Sequence, residues 1–205
     1  MAATVIFCRD VHWLMATLSL RERKRLSTMR HVQATAIEMF EVDGFDATTV
    51  EAVAAAADVS PSTIYRHFGT KEAIVIWDER DRIVDHELGS RLGRQRPVGA
   101  FRDAAVVALA RRDDLDRFAR RLRLMFSEPS IWATAVTQDL RDRSELADAF
   151  AMVNGRAEPR LADEVLAGTC LVALDAALER WQQVDCDEDL ASLIVEAFAV
   201  IGPID

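Results

Sequence analysis

Residues 60–67 read Ser-Pro-Ser-Thr-Ile-Tyr-Arg-His, a short segment rich in hydroxyl, phenol, guanidinium and imidazole groups. These groups donate and accept hydrogen bonds, and Arg66 also carries a full positive charge. The segment holds no carboxylate pair for acid–base work and no cysteine for a zinc site. The chemistry that it supports is therefore recognition of a polar or anionic partner.

Signals on both sides of this segment predict that it forms a helix. Ser60 is a typical N-cap, Pro61 is favoured at the first helical position, and Gly69 ends the helix. Ile64 and Phe68, four residues apart, form the inner face. The remaining side chains form an outer face that fits a major groove about 12 Å wide, and they are Pro61, Ser62, Thr63, Tyr65, Arg66 and His67.

Two helices are predicted before this one. The first is capped by Ser27 or Thr28, ends at Gly44 and carries an apolar stripe of Val32, Thr35, Ala36, Met39 and Phe40. The second begins after Thr48 or Thr49 and buries Val50, Val53, Ala54 and Ala57. Two short helices joined by a turn of about four residues are typical of a helix-turn-helix.

The segment ATTVEAVAAAADVSPSTIYRHFGTKEAI resembles the DNA-binding domain of the TetR family of bacterial transcriptional regulators. The preceding TMRHVQATAIEMFEVDGFDATTV resembles the opening helix of that family, with Phe40, Gly44 and Phe45 at its close. The resemblance covers residues 27 to about 76. It implies binding to a palindromic double-stranded DNA operator.

The resemblance also implies roles for single residues. It assigns phosphate contacts to Thr49, Tyr65, His67 and Lys71, while Ser62, Thr63 and Arg66 are our candidates for base edges. The full set of predicted DNA-binding residues is Arg30, Thr48, Thr49, Ser60, Pro61, Ser62, Thr63, Tyr65, Arg66, His67 and Lys71. Core packing of Tyr65 beside Ile64, and plain solvation of Arg66 and His67, are the alternatives.

Residues 21–30 hold five positive charges and one negative charge. The run from Arg21 to Arg25 precedes the predicted first helix, where a flexible arm could follow the DNA backbone or enter the minor groove. A merely solvated arm is the alternative. Residues 1–20 are expected to be a disordered extension, and Met15 offers a second possible start.

The rest of the chain also shows helical periodicity without a strand pattern, so the predicted fold class is all-α. Residues 21–70 would be the helix-turn-helix domain and residues 71–205 a helical domain for ligand binding and dimerisation. The helices are predicted at 70–88, 98–110, 114–126, 129–153, 159–184 and 187–201, with a loop between Gly89 and Gly99.

The last two helices are the predicted surface of a homodimer. A C2 dimer presents two recognition helices to two half-sites of DNA, and TetR-like proteins usually dimerise through these helices. The candidate interface residues are Ala173, Ala177, Leu190, Leu193, Ile194, Ala197, Phe198 and Ile201. Packing of the same stripe inside one chain is the alternative.

The resemblance further implies a pocket for an unknown small-molecule ligand. Its candidate lining residues are Phe101, Met125, Phe126, Trp132, Phe150, Met152 and Trp181, for which ordinary core packing is the alternative. Arg120, Arg121 and Arg123 suggest an anionic group on the ligand, or simply a solvated helix face.

The net charge of −9 comes entirely from residues 72–205, since residues 1–71 are neutral overall. An acidic chain would ordinarily argue against a DNA partner. Here the acidity belongs to the predicted ligand and dimer domain, and the predicted DNA-binding part lacks it. Non-specific DNA affinity should therefore be weak.

Other classes of protein lack their motifs. The sequence has no GxSxG, GxGxxG, P-loop or HExxH motif and no spacing of histidines that suits a metal, so no catalytic residue, metal or cofactor is predicted. Three cysteines without a CxxC pair, and no signal peptide or membrane span, predict a cytoplasmic protein. The predicted function is a ligand-released repressor. The alternatives are a TetR-like activator and a helical adaptor or ligand-binding protein that does not bind DNA.

Overall fold

The computed structural model describes residues 19–109 and 115–202, all of which lie in helices or short connections without a strand. The predicted extension falls mostly on residues 1–18, outside the described part. The described helices are α1 (Leu20–Asp43), α2 (Val50–Ala56), α3 (Pro61–Phe68), α4 (Lys71–Ile76), α5 (Asp81–Arg91), α6 (Pro97–Leu109), α7 (Leu115–Ser127), α8 (Pro129–Val153), α9 (Leu161–Gln183) and α10 (Leu190–Ile201). The all-α prediction is confirmed.

Helix α1 begins at Leu20, earlier than the predicted cap at Ser27 or Thr28. Ser19 and Glu22 form a complete capping box: the Ser19 hydroxyl accepts from the Glu22 N–H at 3.3 Å, and the Glu22 carboxylate accepts from the Ser19 N–H at 3.0 Å. Thr28 instead donates its hydroxyl to the Lys24 carbonyl within the helix. The run from Arg21 to Arg25 is therefore helical and not a flexible arm.

The predicted continuous helix from Thr70 to Leu88 is wrong. The backbone of Trp77 is extended, with φ −52° and ψ 124°, so α4 ends at Ile76 and α5 starts at Asp81. The amide of Gln33, buried in α1, donates to the Ile74 carbonyl at 2.8 Å and to the Trp77 carbonyl at 2.7 Å. A side chain distant in the sequence thus satisfies carbonyls at the end of α4, and the helix can stop there.

Helix α5 extends to Arg91, so Gly89 lies inside a helix and the predicted loop shortens to residues 92–96. A single glycine in a helix costs about 1 kcal/mol and does not by itself end one. The helices α6 to α10 otherwise agree with the predicted ranges to within about three residues.

The described residues form two compact units, one of residues 19–79 with 124–134 and the other of residues 80–109, 115–123 and 135–202. In the first unit a buried cluster joins α1, α2, α3 and α4 with Leu124 and Ile131. In the second, α9 and α10 pack on each other and on α6, and α5 also packs on α6. The functional boundary at residue 70 stays a prediction.

Candidate nucleic-acid interface

Helix α3 is held by a cap at each end and a buried side chain between them. The Ser60 hydroxyl accepts from the Thr63 N–H at 3.2 Å and lies 2.9 Å from the hydroxyls of Ser62 and Thr63. Gly69 ends the helix with φ +81°, a conformation that a residue with a Cβ rarely adopts. Ile64 is buried in the core, which fixes the rotation of the helix about its axis.

The outer face of α3 is open as the sequence predicts. Ser62, Tyr65 and Arg66 are exposed, while Pro61, Thr63 and His67 are half-buried. Tyr65 keeps 48% of its surface exposed, so its ring does not pack into the core beside Ile64. The face therefore presents hydroxyls, a phenol and a guanidinium to a partner.

The surroundings of His67 favour the neutral form of its imidazole. Partial burial lowers the pKa of its imidazole, and the positive charges of Arg66 and Arg25 lower that pKa further. A neutral imidazole both donates and accepts hydrogen bonds. The charge of Arg25 acting on His67 also places the start of α1 within electrostatic reach of α3.

The two threonines before α2 make different hydrogen bonds. Thr49 is exposed and caps α2 by accepting from the Ala52 N–H at 3.1 Å. Thr48 is 3% exposed, and its hydroxyl donates to the Gly44 carbonyl at 2.8 Å. Thr48, a predicted DNA contact, is thus turned into the protein because its hydroxyl satisfies the carbonyl of the turn that ends α1.

Two predicted phosphate contacts have partners inside the first unit. The Lys71 ammonium donates to the carbonyls of Phe45 at 2.6 Å and Thr48 at 3.1 Å and lies 4.0 Å from the centre of the Phe45 ring. Arg30 donates through Nε and Nη2 to both carboxylate oxygens of Glu79, at 2.6 and 3.1 Å. Lys71 holds the loop before α2, and Arg30 forms a bidentate ion pair with Glu79 in the segment after α4.

The predicted ligand residues divide between the two units. Met125 packs against the core of the first unit, and the ring of Phe126 lies 5.6 Å from that of Trp132. In the second unit Phe101 stacks with Phe198 at 6.1 Å. The other predicted members of that unit are buried or solvent-facing: Phe150 and Trp181 are buried, whereas Met152 is 72% exposed.

The predicted dimer stripe faces inward. Leu190, Leu193, Ile194 and Phe198 of α10 are at most 7% exposed. On α9, Ala173 and Ala177 are also buried, and Ala197 and Ile201 are half-buried. The packing of α9 and α10 on each other and on α6 buries this surface. These side chains therefore have little area left to bury against a second copy.

A different apolar stripe of α9 is exposed. Leu161, Val165 and Val172 are 75%, 56% and 68% exposed. At about 100° per residue they share one side of the helix, opposite the buried Cys170 and Trp181. On α10 the exposed apolar residues include Val195 and Val200.

The residues that the sequence reasoning missed are those that position others. Glu22 could have been found from the S-x-x-E spacing after Ser19, the signature of a capping box. Gln33 and Glu79 carry no local signal, because their partners lie more than forty residues away in the chain.

Comparison with known proteins decides the family. A family model described as "Bacterial regulatory proteins, tetR family" matches residues 33–76, and a second, "MftR C-terminal domain", matches residues 95–204, more than half of the chain. The chain belongs to the TetR family of bacterial transcriptional regulators. It is accordingly a DNA-binding regulator, and regulators of this family are not enzymes.

Relatives of this TetR-family chain are regulators as well. It is 27% identical over 185 residues to the putative mycofactocin biosynthesis transcriptional regulator MftR of Mycobacterium tuberculosis, covering 88% of this chain and 92% of that protein. It is also 40% identical over 57 residues to the regulator TcmR of Streptomyces glaucescens, covering 28% of this chain and 25% of TcmR.

Solved structures show the same fold. FadR of Bacillus halodurans, a fatty acid degradation regulator, has a TM-score of 0.53 at 22% identity, covering 86% of this chain and 99% of that one. NalD, a repressor of the MexAB-OprM efflux pump in Pseudomonas aeruginosa, has a TM-score of 0.51 at 16% identity, covering 87% and 96%.

The described residues contain neither a candidate membrane span nor a candidate metal site. Within residues 19–109 and 115–202, no helix is both long and apolar enough to cross a bilayer. The same part of the chain holds no group of three or more histidine, cysteine or acidic side chains arranged to bind a metal ion.

Proposed function

We propose that this TetR-family chain acts in the cytoplasm as a homodimeric repressor that binds a palindromic operator and is released by a small-molecule ligand. The observation that carries the proposal is the outer face of α3. That face presents Ser62, Tyr65 and Arg66 to solvent, while Ile64 anchors the helix in the core. A helix so held can enter a major groove without rearrangement.

The contacts divide between positioning and sequence recognition. Tyr65, His67 and the cap residue Thr49 hydrogen-bond phosphates and set the register on the duplex. Ser62, Thr63 and Arg66 reach base edges, and the Arg66 guanidinium can donate two hydrogen bonds to one guanine. Lys71 contributes by holding the loop that carries Thr49, and its positive charge stays close to the same surface.

Genes for mycofactocin biosynthesis are the target class that the comparisons support best. Residues 95–204 match the C-terminal domain model of MftR, and the relative from Mycobacterium tuberculosis bears that description over most of both chains. The C-terminal domain is the part of such a regulator that receives the ligand. A shared C-terminal domain therefore supports a shared type of ligand, and the likeness over most of both chains supports a shared class of target genes.

The dimer that we propose uses the exposed stripe of α9. Leu161, Val165 and Val172 form an apolar strip on one side of that helix, and burial of such a strip by its copy across a two-fold axis removes it from water. A ligand releases the operator by preferring the subunit spacing that does not fit the two half-sites. Its effect is limited to that difference in affinity.

Fluorescence anisotropy with labelled duplexes tests the proposal. The probes are fragments upstream of the chain's own gene and of mycofactocin biosynthesis genes in the same genome, with a scrambled duplex as control. We expect salt-dependent binding to one of these fragments and lower transcription from it in vitro. Binding without salt dependence, or to no fragment, would refute the DNA-binding assignment, and higher transcription would refute repression.

Two substitutions on α3 test the division of contacts. Tyr65→Ala should weaken binding to all duplexes by a similar factor. Arg66→Ala should change the ranking among operators altered at single guanines, with about 1–3 kcal/mol lost at the contacted pair. If both variants lost the same binding affinity on every duplex, the assignment of Arg66 to a base would be contradicted.

A further inference from the structure

The first two turns of α1 carry four basic residues that the helix-turn-helix itself does not include. Arg21, Arg23, Lys24 and Arg25 are all exposed on an ordered helix that begins at the Ser19 capping box. Leu26 and Met29, 4% and 2% exposed, anchor this part of α1 in the protein. The basic residues therefore have defined directions.

The helical period separates these residues onto two flanks of α1. At about 100° per residue, Arg21 lies roughly 40° from Arg25, one turn further along the same flank. Arg23 lies roughly 160° from Arg25, and it lies within about 20° of Arg30. The buried Leu26 and Met29 fall between the two flanks.

Known contacts orient both flanks. Arg30 is paired with Glu79, so its flank, which includes Arg23, faces the segment between α4 and α5. Arg25 lies close enough to His67 for its charge to act on that imidazole, so the other flank faces the end of α3. Among the described residues, no ion pair engages Arg21 or Arg25.

We propose that Arg21 and Arg25 form a rigid phosphate-binding surface that extends the DNA contact of α3 along the duplex backbone. The inference rests on the proposed function, because it assigns further contacts to the same DNA complex. Arg25 is within electrostatic range of His67 at the end of α3, and Arg21 lies one helical turn further along the same flank, about 6 Å away.

The helical form distinguishes this surface from a disordered basic arm. An arm must lose its backbone freedom when it binds, and each residue that becomes ordered adds to that cost in free energy. Residues 20–25 are already helical, so the two guanidiniums are presented without that loss. The Glu22 carboxylate, the one negative charge in this run, is held by Ser19 in the capping box.

The salt dependence of operator binding tests the proposal, with Arg23→Ala as the matched control. Each phosphate contact contributes about 0.9 to the slope of log K against log salt. Arg21→Ala and Arg25→Ala should each lower the slope by about that amount and weaken binding about fivefold near 0.15 M salt. Arg23→Ala removes the same charge from the other flank and should leave the slope unchanged.

The outcomes separate this inference from the proposed function. Equal slope losses for all three variants would show a diffuse effect of net charge and overturn the surface. Unchanged slopes for Arg21→Ala and Arg25→Ala would overturn it as well. Failure of the proposed function is a different result, in which the unaltered protein shows no salt-dependent binding at all. Circular dichroism of each variant verifies that the protein stays folded.

Discussion

The Lys71 side chain joins the start of α4 to the loop before α2. Its ammonium donates to the carbonyls of Phe45 and Thr48 and lies over the Phe45 ring. Besides the charge that we propose it brings near DNA, Lys71 satisfies two carbonyls of this loop. Its loss should therefore affect folding as well as binding.

Lys71→Met should lower the free energy of unfolding by about 1–3 kcal/mol, because two half-buried carbonyls lose a charged donor. Urea denaturation followed by circular dichroism measures the change. Arg66→Met is the matched control, since it removes an exposed cation from the same unit and should change stability by less than about 0.5 kcal/mol. An unchanged stability for Lys71→Met would contradict the bracing role.

Asp175 of α9 is held in an environment that disfavours its charge. Burial, together with the negative charges of Asp139 and Glu179, raises the pKa of its carboxyl to about 7. The unfolded chain releases this proton near pH 4, whereas the folded protein retains it to about pH 7. Stability from this group is thus complete below about pH 4 and falls as the pH rises to about 7.

Asp175→Asn should remove this loss of stability at higher pH, since the amide is of similar size and carries no charge. We expect the variant to gain stability over the unaltered protein at pH 8, on the order of a few kcal/mol, and to gain little at pH 4. Thermal unfolding at the two pH values measures the difference. A gain that is equal at both values would refute the titration of Asp175 as its cause.

At the scale of elements, the turn between α2 and α3 sets the geometry of the DNA-reading pair. Asp58 has φ +52°, and the Val59 N–H donates to the Ala54 carbonyl at 3.0 Å. This is the hydrogen bond of a Schellman motif, in which the left-handed position is usually a glycine. An aspartate tolerates that conformation, whereas a β-branched residue does not.

Asp58→Gly should raise the free energy of unfolding by about 0.5–1 kcal/mol, and Asp58→Val should lower it by at least about 1 kcal/mol. Urea denaturation of both variants provides the measurement. Because the strain lies in the backbone, Asp58→Asn should behave like the unaltered protein. The prediction is wrong if the valine variant is as stable as the glycine variant.

The division of α4 from α5 is another property of whole elements. Gln33 satisfies carbonyls of α4, Arg30 pairs with Glu79, and the Trp77 ring packs at 5.9 Å against Phe68. All these contacts lie within the first unit. They hold the segment after α4 against α1 and α3, so the break in the chain lies where the first compact unit gives way to the second.

At the scale of the whole molecule, the apolar residues of α9 and α10 lie on two sides of each helix, one buried and one exposed. One side of each helix builds the core of the second unit, and the opposite side of α9 leaves Leu161, Val165 and Val172 exposed. Such a strip is unfavourable on an isolated monomer. It is the surface that our proposed dimer covers.

Val172→Glu should therefore convert the dimer to a monomer, because a charge on the strip would be buried without a partner. Sedimentation velocity measures the mass, and anisotropy should show a loss of operator affinity of more than tenfold. Val42→Glu, at a valine 84% exposed on α1, is the control and should leave the mass unchanged. A Val172→Glu variant that stays dimeric would rule out this strip.

The acidic charge of the second part of the chain also has a consequence for the whole molecule. With a net charge of −9 and a neutral N-terminal part, no overall positive field draws the protein to DNA. Under our proposals, binding then depends on the particular contacts of α3, the cap of α2 and the start of α1. Weak affinity for scrambled duplexes follows from this distribution.

Local signals in the sequence determined much of this protein. The caps Ser60 and Gly69, the stripe through Ile64 and the open face with Arg66 follow from spacing alone, because helix caps and helical periodicity depend on neighbours within about four residues. The TetR resemblance rests on the same local pattern, and the family comparison confirms it.

Only the tertiary structure decided which faces are covered and which cations are engaged. Periodicity shows that α10 has an apolar stripe but cannot tell whether Leu193 meets its own chain or a second copy. The bonds of Arg30 to Glu79 and of Lys71 to Phe45, and the end of α4 opposite Gln33, join residues at least 26 positions apart. Such partners are set by how helices pack, which no short window of sequence contains.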